Sequence, residues 1–191
     1  MRQKPAAMLA RFYDRDPDTG AYIIPVSVDV YADFFNEWDS APLRRRDLDD
    51  SLLQYLHQSS EDMPLRLPVA LRIDIPRQVQ DESLETRVVA GLRNYFDFIL
   101  FSLEMDIRQS YRQAIFKFLI FVAFISSGYY LGSVLPEGVL TGTLLEGLSI
   151  GGWVFLWATI ERLVFHNHDI RRQIRVDKRL AEAPVRFRYH G

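Results

Sequence analysis

From Phe118 to Leu135 the sequence FLIFVAFISSGYYLGSVL contains no charged residue. With Ala114–Lys117 before it, the run approaches the ~20 residues that a helix needs to cross a bilayer. A second apolar run, Val139–Ile160, follows at once and carries a single charge, Glu146, near its start. The intervening PEGVLTG is a turn by its proline and glycine content. Two spans joined by so short a connection make a helical hairpin, which leaves both flanks of the chain on one side of the membrane.

Lysine and arginine fix which side. The turn has neither. Arg108, Arg112 and Lys117 precede or open the first run, and Arg162, Arg171, Arg172 and Arg175 end or follow the second. The positive-inside rule therefore predicts that both termini are cytoplasmic. The first residues, MRQKPAAMLARFYDRD, hold no apolar core of signal-peptide length. A net charge of -2 gives no general attraction to nucleic acid, and the lack of cysteine excludes disulfides, thiol catalysis and cysteine-ligated metals.

Glycines suggest how the hairpin packs. Gly128 and Gly132 form a GxxxG in the first run, and Gly147 and Gly151 form another in the second. Small residues at this spacing let helix backbones approach closely. Folding the chain between residues 139 and 140 sets Gly132 level with Gly147, Gly128 with Gly151, and Lys117 nearly level with Glu161. Charges at membrane depth are costly and usually pair or face a cavity. The expectation is a glycine-packed hairpin pinned at its cytoplasmic end by a Lys117–Glu161 ion pair. Trp153 and Trp157 then lie on the far side of the second span, available to a partner.

Outside the spans the pattern changes. ARFYDRDPDTGAYIIPV reads as a β-hairpin, because Asp-Pro-Asp-Thr-Gly is good turn chemistry between two strand-like runs. Alternation in IIPVSVDVY and in LPVALRIDIP predicts two strands, each with one buried face. Between them RDLDDSLLQYLHQSS is helical, with Asp47 as N-cap and an apolar stripe of Leu48, Leu52, Leu53 and Leu56. Strand, helix and strand of this length suggest a right-handed crossover. Glu82–Gln113 is a long amphipathic helix leading into the first span. Beyond the second span, residues 170–181 form a basic helix whose Arg171, Arg172 and Arg175 are placed to meet anionic headgroups. VRFRYH alternates and can return as a last strand of the same sheet.

No phosphate loop, nucleophile elbow or metalloprotease helix occurs. Asp14, Asp16 and Asp18 resemble the opening of a calcium loop, but Gly20 falls one place late and no glutamate closes it. His166 and His168 do not share a helix face and are read as marking the exit from the membrane. The densest acidic stretch, Asp29–Asp39, ends a strand and enters a loop, where functional groups often sit.

The second half resembles a group of uncharacterised bacterial proteins with two membrane spans. The match is EGLSIGGWVFLWATIERLVF, then IRRQIRVDKRLAEAPVRF, to an EGLxIxGWVxLWxxxE-type second span followed by a basic helix and a short strand. The front half is similar in YADFFNEWDSAPLRRRDLDDSLLQYL. The resemblance implies a topology and a domain plan, with Glu146, Gly147, Gly152, Trp153, Trp157 and Glu161 as signature positions. It implies no established activity.

The expected architecture is an α+β membrane protein. A small cytoplasmic α/β domain of three to four strands and two to three helices (residues 1–113) continues into a transmembrane hairpin (114–165). A basic helix and a returning strand (166–191) complete it. The expected function is a non-enzymatic, membrane-anchored interaction or assembly module. Its expected partners are the bilayer and a second copy or another membrane protein, without nucleic acid, catalytic residues, cofactor or metal. The alternatives are an oligomeric channel or membrane-disrupting effector, and a membrane-bound enzyme using the Asp29–Asp39 loop.

Overall fold

The computed structural model describes the backbone from Pro5 to Gly191 and the side chains from Met8 onward, apart from those of Phe165 and His166. The chain is mixed helix and sheet, and it divides into two compact units: Met1–Phe101 with Gln173–Gly191, and Ser102–Arg172.

The first unit is built on a parallel three-stranded sheet in the order β1 (Tyr22–Ser27), β2 (Val69–Pro76), β3 (Val185–His190). Its central strand, β2, buries both faces: Leu71, Ile73 and Ile75 on one side, Ala70 and Asp74 on the other. Helix α2 (Asp50–Glu61) links the first two strands. Leu53 and Leu56 of α2 enter one core with Tyr22, Ile24, Val88, Leu92 and Phe96, and with Val176 and Leu180 from α5 (Asn167–Ala181). VRFRYH does return beside β2, with Phe187 opposite Ile73 and Tyr189 opposite Ile75. The strand is held at its end by Tyr189, whose hydroxyl donates to Glu85 Oε1 at 2.6 Å.

Two local expectations are corrected. The first arm of the predicted β-hairpin is a helix, α1 (Pro5–Phe12), because PAAMLARF is rich in strong helix formers and offers no period-two pattern. The hairpin survives as a single Arg15–Tyr22 bridge, closed by Asp16, which accepts Asp18 N–H and the Thr19 hydroxyl, and by Gly20 at φ +68°. The cap of α2 is Asp49, not Asp47: its carboxylate accepts the Ser51 and Leu52 amides. Asp47 is spent on the neck of the preceding loop, where its carbonyl accepts Asn36 N–H and its amide donates to Asp39.

Helix α3 runs unbroken from Glu82 to Val134, 53 residues, or about 80 Å at 1.5 Å per residue. Asp81 caps it by accepting the Ser83 and Leu84 amides. Gly91 is required for packing within the first unit, because a Cβ there would stand 2.6 Å from the Leu43 carbonyl oxygen and 3.0 Å from the Phe35 ring. Helix α4 (Val139–Glu161) follows, and a π-turn at Arg162–His166 leads directly into α5. The chain thus leaves α4 through a widened helical turn rather than through a break. Both α3 and the α4–α5 run are long and apolar enough to cross a membrane, and only 6% of each apolar window is buried within the protein.

Candidate functional site

The second unit carries most of the residues singled out from sequence. Its seam is made of glycine against side chain rather than glycine against glycine. Cβ atoms built on Gly128 and Gly132 would meet Leu148 at 3.9 Å and Leu145 at 3.3 Å. On the opposite helix, Gly151 faces the Phe124 ring and Gly152 faces Ile125, while Gly147 has open space around it. Phe124 and Phe155 pack ring to ring at 5.7 Å. The level partners of Gly128 and Gly132 therefore lie two to three residues nearer the turn than the sequence fold places them.

The expected ion pair at the end away from the turn is not formed. No ion pair joins Lys117 to Glu161 among the described residues; Lys117 is half-buried and Glu161 exposed. What this unit buries at the end away from the turn is neutral and polar. Ser110 and Asn167 are each 2% exposed, and the Ser110 hydroxyl and both Asn167 amide atoms have no hydrogen-bond partner among the described residues. His168 is exposed, and the His166 side chain lies outside the described residues.

Trp153 borders the seam. It stands one residue round from Gly152, and with Gly128, Gly132, Tyr129, Ser149 and Phe124 it lines an apolar groove of about 580 Å³ beside the seam. It remains 62% exposed, and Trp157 is 68% exposed. In the basic helix, Arg171 donates to the Tyr111 hydroxyl at 2.9 Å, while Arg175 is exposed.

The acidic loop is used for its own construction. Asp33 accepts the Asp29 and Val30 amides, and Asp39 accepts those of Ala41 and Asp47, which holds the Asp39 carboxyl below its ordinary range. Asp29, Asp33 and Asp49 line one cleft of about 520 Å³ at the end of β1. Asp33 and Asp49 are already committed to backbone donors there. Among the described residues no three His, Asp or Glu side chains are grouped to hold a metal ion.

The arrangement that sequence reasoning missed lies between α2 and the C-terminal part of α5. Asp177 is fully buried and meets His57 Nε2 at 2.6 Å through Oδ1; its Oδ2 has no partner among the described residues. The hydrogen bond to Asp177 raises the His57 pKa above 6.5, outweighing the burial that lowers it. Two residues on, Arg179 donates to Ser60 Oγ and the Ser60 carbonyl, and to the Pro64 carbonyl at 3.1 Å. The bond to the Ser60 carbonyl satisfies one of those left open at the end of α2. Desolvation lowers the Arg179 pKa, and no carboxylate pairs with it among the described residues. The His57–Asp177 contact joins positions 120 apart in the chain. The sequence signal was an aspartate set between Val176 and Leu180, the buried positions of a mainly basic helix.

Fold and site together define a small parallel α/β unit in which a half-buried histidine meets a buried aspartate, and a second unit made of two long apolar helices. No family model, curated protein or solved structure matches this chain.

Proposed function

We propose that the chain is a non-enzymatic membrane protein in which a two-span hairpin anchors a cytoplasmic α/β module and associates with a second copy of itself. The observation that carries this reading is the display of large aromatics along helices that bury little of their own surface. Trp153 and Trp157 are both mostly exposed, and Trp153 borders the groove beside Gly128 and Gly132. Between helices in lipid, apolar surface has no hydrophobic drive to pair, so shape and close packing decide association. A groove with a glycine floor and an aromatic wall offers such a shape. The lysine and arginine bias of the flanks supports a cytoplasmic location for both termini.

The test is subunit counting of the purified chain in lipid nanodiscs. The reading expects a defined oligomer that Trp153→Ala shifts toward monomer, while Tyr55→Ala, on α2, does not. A monomer at all protein-to-lipid ratios would overturn self-association. A channel is not favoured, because Ser126, Ser127, Ser149 and Thr159 are too few to make a polar stripe, and Thr159 already bonds the Phe155 carbonyl.

A further inference from the structure

The basic character of α5 has a second consequence on the face turned toward the loop before β2. Leu65–Val69 and the end of α5 enclose a groove of about 440 Å³. Arg66, Arg175, Lys178 and Arg179 line it, with Glu182 as the one carboxylate among its lining residues. Arg175, Lys178, Arg179 and Glu182 share a helix face by their spacing of three and four. Glu182 reaches Lys178 only at 3.9 Å, and both side chains are about two-thirds exposed, so this contact neutralises little.

Arg179 makes the groove more than a solvated rim. Its guanidinium is locked onto neutral carbonyl and hydroxyl oxygens of Ser60, Met63, Pro64 and Leu67, and its charge meets no carboxylate among the described residues. Arg66 and Arg175 make no ion pair either, among the described residues. Four cations converge with one exposed carboxylate among them, and one cation is fixed and partly desolvated. Such a site favours an anion. Guanidinium groups match the oxygens of a phosphate two at a time, and a lysine adds a point charge.

We propose that this groove binds a phosphate group, held by Arg66, Arg175 and Lys178 over the fixed charge of Arg179. The phosphate is that of an anionic lipid headgroup or of a soluble phosphate, because the chemistry of recognition is the same. The site does not depend on self-association of the spans.

Lys178 reports on it directly. The full chain is placed in phosphatidylcholine nanodiscs, with and without added inorganic phosphate, and in discs containing phosphatidylglycerol. Each is treated with an amine-acetylating reagent, and modification of Lys178 is read by mass spectrometry against Lys4 in the same molecules. Occupancy is expected to slow Lys178 acetylation about fivefold relative to Lys4, the effect of one well-formed charged contact. Protection by inorganic phosphate in phosphatidylcholine assigns the site to soluble phosphate. Protection only in phosphatidylglycerol discs assigns it to the headgroup. In either case Arg66→Gln with Arg175→Gln removes the protection, and Arg44→Gln with Arg45→Gln keeps it. Equal Lys178 reactivity under all three conditions overturns the proposal, as does loss of protection in the Arg44/Arg45 variant to the same extent.

Discussion

Replacing His57 with alanine isolates what holds the C-terminal part of α5 against α2. The change leaves Asp177 fully buried with neither oxygen paired, since Oδ2 already has no partner among the described residues. Removing one member of a buried ion pair costs about 3–5 kcal/mol, and the partial exposure of His57 argues for the lower end. At about 3 kcal/mol the opened population rises about a hundredfold. Ala183, 2% exposed and just beyond α5, gives the readout. The chain has no cysteine, so Ala183→Cys supplies a unique thiol whose labelling rate follows that population. The same experiment has a pH signature. The imidazolium is the form that the folded protein favours, because Asp177 raises the His57 pKa above 6.5. Its stabilisation is complete below pH 6.5 and is lost as pH rises through the folded-state value. Labelling, divided by the rate of a free thiol at each pH, should therefore quicken on the alkaline side in the His57-containing protein. His57→Gln, which can still donate to Asp177 without a charge, should lose that pH slope and cost about 1 kcal/mol. Unchanged labelling in His57→Ala, or a pH slope that survives in His57→Gln, would rule the clamp out.

Other outcomes follow from single positions. Gly91→Ala should destabilise by about 1–3 kcal/mol in thermal unfolding, because the added methyl meets a backbone carbonyl that cannot swing away. Asp49→Ala should cost about 1 kcal/mol by the same measurement, whereas Asp47→Ala leaves the α2 cap intact. In the second unit, Gly151→Ala should weaken helix–helix association in a detergent-titration or steric-trapping assay, since its Cβ would stand 2.8 Å from the Phe124 ring. Gly147→Ala should leave that association unchanged, having nothing within 4 Å.

The strands were legible by their alternation, and the two apolar helices by the length of their nearly charge-free runs. Alternation located β1, β2 and even β3, although β3 is separated from its neighbour by more than a hundred residues. Turn chemistry at Asp16–Gly20 was read correctly, but it said nothing of what preceded it, and α1 was mistaken for a strand. The helix seam was legible only as a face. Pairing glycines by depth assumed that glycine meets glycine, whereas Gly128, Gly132 and Gly151 receive leucine and phenylalanine side chains. Depth alone also suggested the Lys117–Glu161 pair, and equal depth does not bring two side chains together: no such ion pair forms among the described residues. The His57–Asp177 clamp went unread because its one signal, an aspartate set between Val176 and Leu180 of α5, says nothing of a partner 120 positions away. Arg179 was hidden within a basic run whose other members are exposed.

The proposed function depends on α3 and α4 forming a hairpin through a bilayer, and residue-by-residue sidedness puts that to the test. Single thiols are introduced by Met8→Cys, Glu137→Cys and His190→Cys, each in its own variant. Each variant is exposed to a membrane-impermeant thiol reagent in right-side-out and in inverted vesicles. The thiol at position 137 is expected to label only in right-side-out vesicles, and those at positions 8 and 190 only in inverted ones. Labelling of all three from one side would mean that the apolar helices do not cross the membrane as a hairpin.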